Sequence, residues 1–301
     1  MSFSRRAFLA APLALAACGP LPQPFRGRPG EVARRLARPP GYRVAVMPGA
    51  GVLLTDGDAE TLSRAVAEAL AGQEIPAVSG EALPLDWRLL LAAEREGGNV
   101  VPRYALRDAD GQALGMLVGR PVAARDWAEG GEAVLRRAAA EAAPNLATLL
   151  ARIDAQRRTG DERATGSGPP VLRLIPVRGA PGDGNRSLTA RMRERLAGFG
   201  FAVQDQADGA QYAVSGQVTM APGASRAVQR VEIVWTVSRR DGQDLGRVLQ
   251  LNEVPAGSLN GLWADVALVV AEEASGGIRD VVMNAGGFAG PAAAPAAAAP
   301  R

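Results

Sequence analysis

The chain has 301 residues, 47% apolar but only 4% aromatic, enough for two domains whose cores must be built from Leu, Val and Ala. All 34 basic residues are Arg, set against 31 acids, and there is no Lys, no His and a single cysteine, Cys18. That inventory excludes Ser-His-Asp and Cys-His catalysis, zinc held by Cys and His, and a lysine Schiff base. Carboxylate chemistry, or chemistry supplied by a bound metal or cofactor, remains.

The N-terminus reads as an address, with residues 1–17 as a signal peptide. Ser4-Arg5-Arg6-Ala7-Phe8-Leu9 resembles the twin-arginine export signal, with Arg5 and Arg6 as its pair. The apolar run that follows, to Ala17, is too short to span a bilayer. It ends in Leu15-Ala16-Ala17-Cys18, which resembles a bacterial lipobox. The resemblance implies cleavage before Cys18, lipidation of its thiol, and a mature protein anchored to the membrane without a free thiol. Gly19 stands where inner-membrane lipoproteins resemble one another in having Asp, so the expected site is the periplasmic face of the outer membrane. Loss of Arg5 and Arg6 brings the charge close to balance. No basic stripe points to nucleic acid.

Residues 18–41 are rich in Pro and Gly and are expected to form a lipidated tether. Two copies of one unit follow, at 42–156 and 171–284, joined by a polar linker at 157–170. Thr61–Gly72 aligns with Ser187–Gly198, Asp110–Gly115 with Asp241–Gly246, and Trp127-Ala128-Glu129 with Trp263-Ala264-Asp265. Each copy predicts the same order. An apolar strand (Arg43–Met47 or Leu172–Ile175) leads through a glycine loop to an amphipathic helix (Ala59–Ala71 or Ser187–Ala197). A short strand comes next (Pro76–Ser79 or Phe201–Gln204), then a three-strand meander. The meander strands are Trp87–Ala93, Val101–Leu106 and Leu114–Val118 against Tyr212–Met220, Val231–Ser238 and Leu245–Leu251. Asp110-Gly111 and Asp241-Gly242 turn the last hairpins. A long helix closes each copy, Asp126–Ala151 or Leu259–Met283. Trp87–Glu96 could pass for a helix, but its counterpart from Tyr212 is β-branched and contains Gly, so the repeat assigns a strand. Residues 285–301 form an Ala/Pro tail expected to be disordered.

The glycine loops invite a nucleotide-binding reading. Gly179 and Gly184 have the spacing of a phosphate-binding loop, but Asn185 occupies the position that requires Lys. The first copy offers no third glycine for a dinucleotide fingerprint. A turn with Asp56-Gly57-Asp58 or Asp183-Gly184-Asn185 capping the next helix explains both loops, and neither holds a full calcium ligand set. No nucleotide, metal or other cofactor is expected. The two tryptophans open their last helices and are expected to pack on the sheet edge. The alternative is an exposed contact for a partner or glycan, with Trp127, Trp263, Asn252, Ser258 and Asn260 as candidates.

The fold class expected is α/β (α+β): two tandem duplicated domains, each a small mixed sheet with two packed helices. In element order this resembles the domain of the TolB N-terminus, of CsgG-type envelope lipoproteins and of the LpoB class of lipoprotein activators. The resemblance implies docking on an envelope protein rather than catalysis. The second expectation is a small anionic or glycan ligand held between the two domains.

Overall fold

The computed structural model describes residues 41–49, 51–164 and 169–285, with side chains of 158–164 left aside. Cys18, Arg5, Arg6, the tether and the tail lie outside these residues. The first copy runs β1 (Val44–Pro48), α1 (Asp56–Ala71), β2 (Ala77–Ser79), β3 (Trp87–Glu96), β4 (Asn99–Arg107), β5 (Ala113–Val118), β6 (Val122–Ala123), α2 (Ala124–Glu129) and α3 (Glu132–Ala164). The second runs β7 (Val171–Leu174), α4 (Gly184–Gly198), β8 (Ala202–Gln204), β9 (Tyr212–Pro222), β10 (Val228–Arg239), β11 (Asp244–Pro255) and α5 (Ala264–Asn284).

Both sheets have one topology. The first is ordered β2-β1-β3-β4-β5, with β6 added on β4; the second, read from the other edge, is β8-β7-β9-β10-β11. In each, the first three strands run parallel through a helical crossover and the last three form the antiparallel meander. The strand over Trp87–Glu96 is therefore real. From Trp87 to Ala93 its residues alternate between buried and half-buried, which a helix would not do.

One face of each sheet carries the helices. In the first copy Val44, Val46, Leu89, Leu91, Tyr104 and Leu106 pack against Leu62, Val66 and Leu70 of α1 and Leu135, Ala139 and Leu146 of α3. In the second, Leu172, Leu174, Val214, Ile233 and Trp235 meet Leu188, Met192 and Leu196 of α4 and Ala267, Ala271, Ala274 and Ile278 of α5. Each large side chain so buried contributes about 1.5–3 kcal/mol.

The closing helices differ from the sequence reading chiefly at three points, and several strands run longer than expected, β11 to Pro255 rather than Leu251. The single closing helix of the first copy is broken: Gly130 is left-handed (φ 64°), and a Cβ there would lie 2.5 Å from the Asp58 carboxyl group. The helix then continues past Ala151 to Ala164, so the first half of the 157–170 linker is helix. In the second copy the helix starts at Ala264, five residues after Leu259; residues 256–261 form a turn and bend instead, with Ser258 N–H donating to Pro255 O and Asn260 N–H to Gly257 O.

Candidate functional site

The glycine loops are structural clasps. In the first copy Thr55, not Asp56, caps α1: its hydroxyl accepts from the Asp58 N–H at 3.3 Å and donates to Asp58 Oδ2 at 2.6 Å. Across the loop, Trp127 Nε1 donates to Val52 O at 3.1 Å. In the second copy Asp183 starts α4 but does not cap it with its side chain. Its carboxylate accepts the Trp263 N–H at 2.8 Å and the Ser187 hydroxyl at 2.8 Å, so it caps α5 instead. These two bonds hold its pKa below the ordinary 3.8, the Ser187 hydroxyl contributing most. Trp263 Nε1 donates to Leu259 O. A Cβ on Gly184 would strike the Trp263 ring at 2.5 Å, and one on Gly182 would strike Gly261 O at 2.1 Å. Three backbone amides of this loop donate within the protein: Ala180 N–H to Asn185 Oδ1, Asp183 N–H to Gly261 O and Gly184 N–H to Pro181 O.

Each tryptophan is thus 1% exposed. This corrects the reading of Trp127 and Trp263 as partner contacts: their rings close their own repeats. Asn252, on β11, and Ser258 and Asn260, in the turn before α5, are the remaining candidates, and all three are exposed. Ser258 hydroxyl donates to Pro255 O, and Asn260 N–H to Gly257 O.

The two copies meet at a joint built from their matching hairpin turns. The first copy's turn docks on the β8–β9 loop: Asp110 accepts the Ala207 N–H at 2.9 and 3.0 Å and pairs with Arg173 at 3.0 Å. The second copy's turn docks on the start of β1. Arg43 N–H donates to Arg240 O at 3.1 Å, and the Arg43 side chain fills the space beside Gly242. Asp241 is held by Arg239; burial alone would raise its pKa, but the Arg239 hydrogen bonds and the Gln243 N–H lower it. Between the turns, Leu85 and Ala109 pack against Ala207, Ala210 and Ala213.

Beside this small core four side chains stack. Arg240 lies 4.9 Å from the Tyr42 ring, Tyr42 stacks on Trp87 at 4.6 Å and 16°, and Arg157 lies 5.6 Å from Trp87. Arg157 also reaches Asp108 at 2.9 Å and Asp208 at 3.0 Å, one in each copy. Partial burial opposes its charge, but the Asp108 hydrogen bond and the two carboxylates outweigh burial and raise its pKa. Arg43 holds the fully buried Asp86 through two bonds, at 3.0 and 2.6 Å. Sequence reasoning saw Asp110-Gly111 and Asp241-Gly242 only as turns. The shared Asp-Gly-Gln of both copies, more than a turn requires, was the available sign of this joint.

Packed side chains occupy this contact between the copies, where the sequence reading expected a ligand groove. A groove of about 560 Å³ lies instead within the first copy, lined by Tyr42, Glu74, Trp87, Pro144, Thr148 and Asp154 among others. The faces of its two aromatic rings are covered by each other and by Arg240 and Arg157. A sugar has no ring face there to stack on.

The outer surface differs between copies. Leu262 (79% exposed), just before α5, and Val266 and Val269 (54%), three residues apart in its first turns, present aliphatic side chains to solvent a few residues after Asn260. The first copy has Asp126 where Leu262 stands before its tryptophan, and a broken helix where Val266 and Val269 follow. Among the described residues no group of three His, Cys, Asp or Glu could hold a metal ion, and no helix is long and apolar enough to cross a membrane.

The sequence matches no protein-family model and no curated protein. In fold, part of the chain is similar to several solved structures, among them these three. PelC from Paraburkholderia phytofirmans, described as a dodecamer, is 16% identical, over 36% of this chain and 87% of that one, with a TM-score of 0.28. TolB from Acinetobacter baumannii is 18% identical, over 39% of this chain and 29% of that one, with a TM-score of 0.28. A lipoprotein of Neisseria meningitidis is 14% identical, over 36% of this chain and 96% of that one, with a TM-score of 0.25.

Proposed function

We propose that the chain is a non-enzymatic cell-envelope lipoprotein, an adaptor in an assembly or secretion-associated complex. It is held at the periplasmic face of the outer membrane through lipid on Cys18. The observation that carries the adaptor reading is the exposed aliphatic stripe of Leu262, Val266 and Val269, a few residues after Asn260. Two copies of one fold have diverged here: the second presents aliphatic side chains to solvent where the first is polar or broken. Exposed aliphatic side chains gathered at one helix start mark a contact for another protein. The anchor reading rests on Leu15-Ala16-Ala17-Cys18 after the Arg5-Arg6 signal. The non-enzymatic reading is supported by the residue inventory and by arginines that engage the carboxylates of the joint, Asp86, Asp108 and Asp110.

Val266→Asp with Val269→Asp in the full chain tests the contact. The variant is expected to fold and to stay in the membrane fraction while losing an envelope protein that co-purifies with the wild type. Unchanged recovery of that protein would contradict the assignment. Cys18→Ser is expected to release the protein from the membrane; retention would remove the anchor.

A further inference from the structure

Strand β11 is an edge, and among the described residues nothing pairs with its outer side. At 12 residues it is twice as long as β5, the edge of the first sheet, which carries no charge. An edge strand of this length is a template for another strand.

The hydrogen-bond phase of β11 follows from its ladder. Ala256 N–H donates to Ala227 O at 2.8 Å, next to Val228 opposite Pro255, and the register then runs without a shift to Val237 opposite Gly246. In an antiparallel ladder bonded pairs alternate. Gly246, Val248, Gln250, Asn252 and Val254 therefore bond to β10. Arg247, Leu249, Leu251 and Glu253 turn their N–H and C=O groups outward. Pro255, which has no N–H, shares that outward phase. The same four side chains lie on the sheet face away from α5, because Gln250 points to α5, where it donates to Val270 O. Leu249 is 61% and Leu251 55% exposed.

We propose that β11 pairs antiparallel with β11 of a second copy of this chain, about a two-fold axis through Gln250. The outward series Arg247, Leu249, Leu251, Glu253 is complementary to itself when reversed. With the axis at Gln250, Arg247 lies opposite the partner's Glu253 and Leu249 opposite the partner's Leu251. All four residues on each strand are then in phase to exchange backbone hydrogen bonds. Neither neighbouring register that keeps this phase does the same. An axis at Leu249 sets Arg247 against Leu251, and an axis at Leu251 sets Glu253 against Leu249. A two-fold contact must be complementary to itself, and this strand is so in one register. The pairing joins the two second-copy sheets into one. It is independent of the adaptor reading, because the Leu262 stripe takes no part in it.

Sedimentation of the full chain in mild detergent tests the pairing. The wild type is expected to self-associate to twice the monomer mass. Arg247→Glu sets like charges opposite at both ends, and so does Glu253→Arg; each is expected to associate about ten-fold or more weakly. An equimolar mixture of the two is expected to recover the dimer. In the mixed pair the carboxylate introduced at position 247 of one chain faces the guanidinium introduced at position 253 of the other, and recovery shows that both variants fold. Leu249→Pro removes only an outward N–H and is expected to give a folded monomer. A wild type that stays monomeric at about 100 µM would overturn the proposal. So would single charge variants that associate as strongly as the wild type, or a mixture no tighter than either variant alone.

Discussion

Arg157, near the end of the first repeat's long helix, donates Nη1 to Oδ1 of Asp208 in the second repeat at 3.0 Å. The same guanidinium holds Asp108 and covers Trp87, so one side chain ties two carboxylates and an aromatic stack across the joint. The partners differ in burial: Asp108 is buried and Asp208 is exposed. Arg157→Ala leaves the Asp108 carboxylate without its counter-charge and is expected to cost about 1–3 kcal/mol. Asp208→Ala removes an exposed partner and is expected to cost less than about 1 kcal/mol. Urea denaturation of both variants checks the order, and equal losses would contradict it.

The same position in the two glycine loops responds in opposite ways to one methyl group. A Cβ on Gly57 meets nothing within 4 Å, and the residue sits in the first turn of α1. Gly57→Ala is expected to be neutral or to stabilise by up to about 1 kcal/mol, through reduced freedom of the unfolded chain. A Cβ on Gly184 meets the buried Trp263 ring at 2.5 Å and Ala180 Cβ at 2.7 Å. Gly184→Ala is therefore expected to lower the melting temperature clearly. Calorimetry of the two variants tests the pair, and a harmless Gly184→Ala would refute the clasp.

Trp263 is the other half of that clasp. Trp263→Ala is expected to cost about 3–5 kcal/mol as a buried aromatic removed from a packed core. Trp263→Phe keeps most of the volume but abandons the bond to Leu259 O, and is expected to cost about 1–3 kcal/mol. Thermal and denaturant melts report both. Loss of partner binding on Trp263→Ala would reflect unfolding rather than a lost contact.

Asp183 gives the loop a pH dependence. Its folded pKa lies below the ordinary 3.8, held there by the Ser187 hydroxyl and the Trp263 N–H. A depressed carboxylate contributes stability that is complete above its unfolded pKa and is lost as pH falls through the folded value. The wild type is therefore expected to exceed Asp183→Asn in melting temperature at neutral pH, with the gap closing below about pH 4. A gap that persists or widens in acid would show that the charge is not the cause.

Much of this fold was legible from the sequence because the chain states it twice. The helix-like run from Trp87 was assigned to a strand by its counterpart at Tyr212, and the observed ladder agrees. Most of the element order, both Asp-Gly turns and the place of Trp263 at the head of its closing helix could be read; β6 and the separate short helix that holds Trp127 could not. Nor could what the side chains face. Asp110 and Asp241 satisfy a hairpin equally well whether the turn meets water or another domain, so the joint left only the shared Gln behind it as a sign. Trp127 and Trp263 look alike as buried clasps or exposed contacts until the Val52 and Asp183 partners are in place. The Gly130-Gly131 break stood in the sequence, but the alanine-rich residues on either side favoured one continuous helix. The aliphatic stripe was masked because Leu262, Val266 and Val269 read as ordinary core positions of an amphipathic helix.

The adaptor reading is tested most directly by site-specific photo-cross-linking in intact cells, with the photoreactive residue at Val269 in the full chain. The account expects one discrete adduct with an envelope protein from Val269, and the same adduct from Leu262. It expects none from Leu53, an exposed aliphatic in the first repeat's glycine loop. No adduct from Val269 and Leu262, or the same adduct from all three positions, would contradict it.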